Sequence, residues 1–95
     1  MNPEDLTLNI AVNLGRISRW AIEGKRNRID QFIADTDFYV QELEKAPKNE
    51  RFDKTFNAFV KKYNNLKKNV RLEEDWAEDM LTWANILTHR AKLAN

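Results

Sequence analysis

Residues 52–70 read FDKTFNAFVKKYNNLKKNV, and this stretch decides the fold of the chain. Its apolar side chains are spaced alternately four and three residues apart, at Phe52, Phe56, Phe59, Tyr63, Leu66 and Val70. Because an α-helix turns once in about 3.6 residues, this spacing puts them all in one lengthwise stripe, with lysines on the solvated side. The stretch therefore predicts an amphipathic helix whose aromatic stripe lies against other helices. We expect it to be the central helix of the fold.

The composition of the chain excludes several kinds of protein. Its 95 residues suffice for one domain with its own core. The absence of cysteine excludes disulfides and thiolate metal sites and favours a cytoplasmic location. Because 16 Lys and Arg nearly balance 15 Asp and Glu, the net charge of +1 gives no overall reason to expect nucleic acid. No apolar run reaches the roughly 20 residues of a membrane span, and the acidic start is unlike a signal peptide, so we expect no membrane association.

Three interruptions divide the apolar pattern into four stripes. Gly24 lies in a polar stretch across which the phase of the stripe slips. Pro47 disfavours helix at the preceding residue and has no backbone N–H to donate. The third interruption rests on charge, because the cations of residues 67–71 suit the end of a helix and the acids of residues 73–79 suit the start of the next. We predict four helices, near residues 3–23, 27–46, 50–69 and 73–93.

Four helices of this length with short connections predict an all-α fold. We expect one helical domain, residues 1–95, closed as an antiparallel up-down-up-down four-helix bundle. No Gly or Pro follows Pro47, however, so the pattern also allows the helices to join in pairs. In that alternative two long helices form a hairpin, which dimerises into a four-helix bundle to bury its stripe.

The sequence contains no set of residues typical of catalysis or of a metal site. His89 is the only histidine, and Ile86 stands where a di-iron bundle would need a glutamate. Ser18 is the only serine, and it has neither a histidine near it in sequence nor a glycine-rich turn. We therefore expect no enzymatic activity, no metal and no cofactor.

One acidic segment loosely resembles a known motif. Glu74, Asp75 and Glu78 are spaced like the Glu-Glu-x-x-Glu motif with which all-α nucleotide pyrophosphohydrolases gather magnesium. The apolar stripe, however, directs Trp76 rather than these carboxylates towards the core, and residues 86–92 offer no second acidic pair. We therefore interpret the segment as the solvated, acidic first turn of a helix.

Basic residues surround the first and third connections. These connections lie at matching distances before and after Pro47, so either architecture brings them to the same end of the molecule. We call this group the basic zone, and it consists of Arg16, Arg19, Lys25, Arg26, Arg28, Lys67, Lys68 and Arg71. Such a zone can bind RNA or DNA, an anionic head group or the acidic surface of a partner protein, with Trp20 as a stacking surface. Acidic residues at the same end can instead neutralise it through ion pairs, which is the interpretation that we favour.

Aromatic residues at the edges of the stripes are the other candidates for a binding surface. They are Trp20, Phe38, Tyr39 and Trp83. Each either widens the core or stays outside as an anchor for a partner. Because a bundle of this size lacks room for all of them, we expect at least one to contact a partner.

Two functions follow from these patterns. The first is a non-enzymatic protein-protein interaction or regulatory module, which includes association with a second copy. The alternative is a small RNA- or DNA-binding bundle that uses the basic zone, and its binding would weaken with salt.

Overall fold

The computed structural model describes residues 1–95, and it confirms the all-α prediction. Four α-helices follow one another along the chain. They are α1 (Pro3–Ile22), α2 (Arg26–Lys45), α3 (Asp53–Lys68) and α4 (Glu74–Arg90). A 3₁₀ turn, Glu50–Phe52, leads into α3, and a second, Ala91–Ala94, follows α4. None of the helices combines the length and the apolar character that crossing a membrane requires.

Hydrogen bonds between the helices show how they are arranged. The Ser18 hydroxyl on α1 donates to the backbone oxygen of Ala77 on α4, at 2.7 Å. At the far end of this helix pair, the backbone N–H of Glu4 donates to the side-chain oxygen of Asn95, at 2.9 Å. α1 and α4 are therefore antiparallel. With short connections between successive helices, the chain forms the predicted up-down-up-down bundle.

The alternative of two long helices is wrong, because the backbone leaves the helical conformation at residues 23–25 and 69–73. Gly24 follows α1 with a φ of +70°, in the left-handed region that glycine adopts at little steric cost. At the other break, the indole nitrogen of Trp76 donates to the backbone oxygen of Leu66, at 3.1 Å. That oxygen belongs to the last turn of α3, where carbonyls lose their regular helical partners, so the bond stabilises the end of the helix.

Lys48 holds the turn between α2 and α3. Its ammonium group donates to the backbone oxygens of Leu43, Glu44 and Ala46, at 2.7, 3.2 and 3.2 Å. The same group lies 4.9 Å from the centre of the Phe56 ring, close enough for a cation–π interaction. One side chain therefore both satisfies carbonyls at the C-terminal end of α2 and attaches the turn to the core.

The prediction that residues 52–70 form the central helix is wrong, because α1 occupies that position and packs closely against both α2 and α4. The reason is side-chain size. Small buried residues recur every seventh position where α1 meets α4 and the 3₁₀ turn that follows it, and they let the backbones approach closely. We call this contact the small-residue seam, and it consists of Ala11, Ser18, Ala77, Ala84 and Ala91.

The aromatic stripe of α3 is buried as its spacing predicts, but it keeps α3 at a greater distance. Phe52, Phe56, Phe59 and Tyr63 are all buried, and their rings fill the space between α3 and the rest of the bundle. Val70, the last member of the predicted stripe, is half-buried and lies beyond the end of the helix. The separation of α3 from α4 matters for the surface described below.

Candidate functional site

Several members of the basic zone are paired with nearby acidic side chains. The paired cations lie around the first and third connections, and their carboxylate partners are two to four residues away in sequence. All these groups are exposed, so the pairs add little to stability, but they neutralise charge that a nucleic acid backbone would need. The pairs join Lys25 to Glu23 (3.1 Å), Arg26 to Asp30 (3.0 Å), and Arg71 to Glu73 (3.8 Å) and Asp75 (3.2 Å).

Two further arginines of the zone lie over aromatic rings at the α1–α2 contact. The guanidinium of Arg16 is 5.7 Å from the centre of the Phe32 ring, and that of Arg28 is 5.6 Å from the Trp20 ring. The two rings meet edge to face, with 4.6 Å between their centres. The structure therefore brings Arg16, Trp20 and Arg28 together. Because Arg28 lies over the Trp20 ring, that ring offers less open surface for stacking with a base.

The remaining members of the basic zone are Arg19, Lys67 and Lys68. Lys67 bonds to Asp37 on α2, at 3.0 Å, and Asp37 lies about twelve residues, or about 18 Å of helix, beyond Lys25. Lys67 is therefore turned towards the middle of α2 rather than towards the first connection. Arg19 and Lys68 form no ion pair within the chain.

Tyr63 has the one clearly shifted pKa in the chain. Burial raises the pKa of its phenol far above the usual value of 10.0, and the hydrogen bond that it donates to Asp37, at 2.7 Å, raises it further. A phenol that holds its proton so firmly is unsuited to act as a base or a nucleophile near neutral pH. Together with Lys67, these two side chains join α2 to α3, which is a structural role.

The four edge aromatics have different surroundings. Trp20 and Tyr39 are half-buried and pack against the core, whereas Phe38 on α2 is 59% exposed. The one aromatic ring beside Phe38 is that of Tyr39, with 5.7 Å between the ring centres. Trp83 on α4 is half-buried, and its ring centre lies 5.9 Å from that of Phe59 on α3. Phe38 is thus an isolated exposed ring, while Trp83 belongs to a larger surface.

That surface is a groove between α3 and α4. The part of it near the start of α3 and the end of α4, which we call the upper groove, has a volume of about 320 Å³. The groove exists because the phenylalanines of α3 hold its backbone away from α4, whereas the seam between α1 and α4 leaves no such space. The residues that line it are Lys54, Thr55, Ala58, Trp83, Ile86 and Arg90.

The space between α3 and α4 opens again near the connection between the two helices. A second depression there has a volume of about 390 Å³, and it includes edges of Leu66 and Trp76. The ion pair between Lys62 and Asp79, at 3.6 Å, bridges the two helices at this second depression. We call the two depressions together the α3/α4 groove.

Sequence reasoning identified one residue of the upper groove, Trp83, and missed the others. Lys54 and Arg90 stand on helix faces that looked uniformly solvated. Neither helix alone carries a signal for the hollow, because Ala58 is exposed on a different face of α3 from the buried Phe56 and Phe59. No group of three or more His, Asp or Glu side chains comes together as metal ligands do.

Comparison of the chain with protein-family models, curated proteins and solved structures gives no match. The functional interpretation therefore rests on the surfaces described above.

Proposed function

We propose that this chain is a non-enzymatic protein-interaction module whose α3/α4 groove binds an acidic, amphipathic segment of a partner protein. The observation that carries the proposal is an apolar floor around Trp83 with cations along its rim. An aromatic ring in a partly desolvated hollow is a typical anchor point of protein interfaces.

The floor of the groove favours an apolar ligand face. The half-buried ring of Trp83 packs against the buried ring of Phe59, with 5.9 Å between the ring centres. Because this contact already restricts the side chain, binding a partner would cost less side-chain entropy than ordering a fully exposed ring. Ile86 and Ala58 add apolar surface on either side of it. A helical segment with apolar residues three and four apart matches such an elongated surface.

The rim of the groove favours acidic groups on the ligand. Arg90 donates a hydrogen bond to the Thr55 hydroxyl, at 3.2 Å, which positions its guanidinium beside the groove. Neither Arg90 nor Lys54 forms an ion pair within the chain, and no acidic side chain lines the upper groove. Both cations are therefore available to carboxylates of a partner, which gives the groove specificity for charge.

The residues that line the upper groove are unsuited to catalysis. The upper groove contains no histidine, aspartate, glutamate or serine, so it lacks a general base and an activated nucleophile. The only group with a clearly shifted pKa, Tyr63, is turned towards α2 and is used in packing.

The test is selection of helical peptides from a random displayed library against the immobilised chain. We expect the enriched peptides to combine an apolar stripe with acidic residues, and we expect Trp83→Ala and Arg90→Glu each to weaken their binding at least about tenfold. Phe38→Ala is the matched control, because it removes an exposed aromatic ring outside the groove. Enriched peptides that lack acidic residues, or that bind Trp83→Ala as tightly as the native chain, would contradict the proposal.

A further inference from the structure

We propose that two copies of this chain associate through the outer face of α1, as an antiparallel pair centred between Val12 and Gly15. This face lies on the side of α1 away from the core. Its residues follow one another at alternating spacings of three and four, which places them in one stripe along the helix. They are Asp5, Leu8, Val12, Gly15, Arg19 and Ile22.

The outer face of α1 leaves apolar side chains in water. Val12 is 53% exposed and Ile22 is 60% exposed, and the half-buried Leu8 continues the stripe. Single exposed apolar residues are ordinary on a protein surface. Here they lie in one line on a helix whose opposite face already supplies the core, so the line is an additional apolar surface.

Nothing within a single copy of the chain requires a glycine at position 15. Glycine in a helix interior is less favourable than alanine, yet the φ of Gly15 is not positive, so its backbone does not require glycine. A Cβ atom added there would meet no other atom within 4 Å, so packing does not require glycine either. The missing side chain leaves room for a side chain of another molecule.

The charges of the stripe are complementary to those of its own copy. In an antiparallel pair centred between Val12 and Gly15, each Val12 packs onto the Gly15 of the other copy, and each Arg19 lies beside the other Leu8. Asp5 is three residues, or about 4.5 Å of helix, beyond Leu8, which is within reach of a long arginine side chain. Neither Asp5 nor Arg19 forms an ion pair within the chain.

A second copy is therefore the partner that fits this face. The two-fold symmetry repeats the Asp5–Arg19 contact at both ends of the interface. The net charge of +1 produces little repulsion between copies. An interface made by one helix from each copy is small, so we expect a weak and reversible dimer.

The test exchanges the charges, with association measured by sedimentation equilibrium from about 10 µM to about 1 mM. Asp5→Arg gives both ends of the stripe positive charge, and Arg19→Asp gives both ends negative charge. We expect the native chain to dimerise and each variant alone to dimerise at least about tenfold more weakly. An equimolar mixture of the two variants should recover association, because each positive end then meets a negative end.

A third variant separates association from folding. Gly15→Gln fills the space on the stripe, so it should weaken the dimer while keeping or raising the melting temperature measured at low concentration. The matched control, Ala34→Gln on the exposed face of α2, should dimerise like the native chain.

Three results would overturn the proposal. They are a native chain that stays monomeric to about 1 mM, a mixture that associates no better than either charge variant, and a Gly15→Gln chain that dimerises normally. None of these results bears on the α3/α4 groove, because the substitutions at Asp5, Gly15 and Arg19 lie on α1 and leave the groove intact. In the same way, Trp83→Ala leaves the outer face of α1 intact, so the two proposals are tested separately.

Discussion

The indole nitrogen of Trp76 and the backbone oxygen of Leu66 are 3.1 Å apart, and their hydrogen bond joins the first turn of α4 to the last turn of α3. Trp76→Phe keeps a buried ring but removes the donor and leaves a space. We expect this change to lower the free energy of unfolding by about 2–4 kcal/mol. Urea denaturation followed by circular dichroism measures the loss.

Trp83→Phe is the control for that experiment, because the Trp83 ring is half-buried and its indole nitrogen makes no hydrogen bond within the chain. We expect it to cost less than about 1 kcal/mol. Equal losses in the two variants would mean that the hydrogen bond of Trp76 does not hold the end of α3.

The raised pKa of Tyr63 predicts a loss of stability in alkali. The folded chain holds the phenol proton more tightly than the unfolded chain, whose pKa is near the usual 10.0. The contribution is therefore complete below pH 10 and is lost as the pH rises above it. We expect the free energy of unfolding to fall more steeply above that pH in the native chain than in Tyr63→Phe, which lacks the titrating group.

The same variant has an expected effect at neutral pH. Tyr63→Phe removes the hydrogen bond to Asp37, so it should cost about 1–2 kcal/mol at pH 7. Denaturation curves collected from neutral to alkaline pH give both results. Parallel dependence on pH in the two chains would show that Tyr63 does not titrate differently on unfolding.

Because α1 and α4 lie close together, we expect larger side chains in the small-residue seam to destabilise the fold. We expect Ala84→Leu, in the seam, to lower the free energy of unfolding by about 1–3 kcal/mol because the added atoms force the helices apart. Ala34→Leu, at an exposed position of α2, should change it by less than about 0.5 kcal/mol. If thermal and urea denaturation rank the two variants equally, the seam is not closely packed.

Local signals in the sequence account for the helices but not for how they are packed. Gly24, Pro47 and the reversal of charge near residue 70 separate four stripes, and the structure breaks the helices at these places. The central position of α1 depends instead on the sizes of side chains on two different helices. The seventh-residue spacing of Ala77, Ala84 and Ala91 is visible in the sequence, but its meaning requires the partner helix.

The candidate site was predictable to a similar degree. Trp83 stands out as an aromatic residue at the edge of its stripe. The hollow beneath it depends on how far the phenylalanine rings hold α3 from α4, which no single helix pattern reveals. Lys67 shows the same limit, because its partner Asp37 lies on another helix and draws it away from the first connection.

The pairing of the basic zone leads us to expect no nucleic acid binding from it. We therefore consider a triple variant, Lys25→Glu, Arg26→Glu and Lys67→Glu. Its retention on a heparin column and its effect on the gel mobility of RNA should differ from those of the native chain only as far as the change in net charge requires. A variant with the same charge change at Lys45, Lys61 and Lys92, outside the zone, is the control. Selective loss of RNA binding in the first variant would instead support the alternative of a nucleic-acid-binding bundle.

The most direct test of the interaction site uses the three tryptophans of the chain. Each gives its own indole N–H signal in a proton–nitrogen correlation spectrum, and the structure places Trp20 at the α1–α2 contact, Trp76 in the core and Trp83 in the groove. We expect titration with an acidic amphipathic peptide selected on the native chain to move the Trp83 signal progressively and to leave that of Trp20 in place. A titration in which Trp20 moves and Trp83 does not would contradict the assignment of the α3/α4 groove as the binding site.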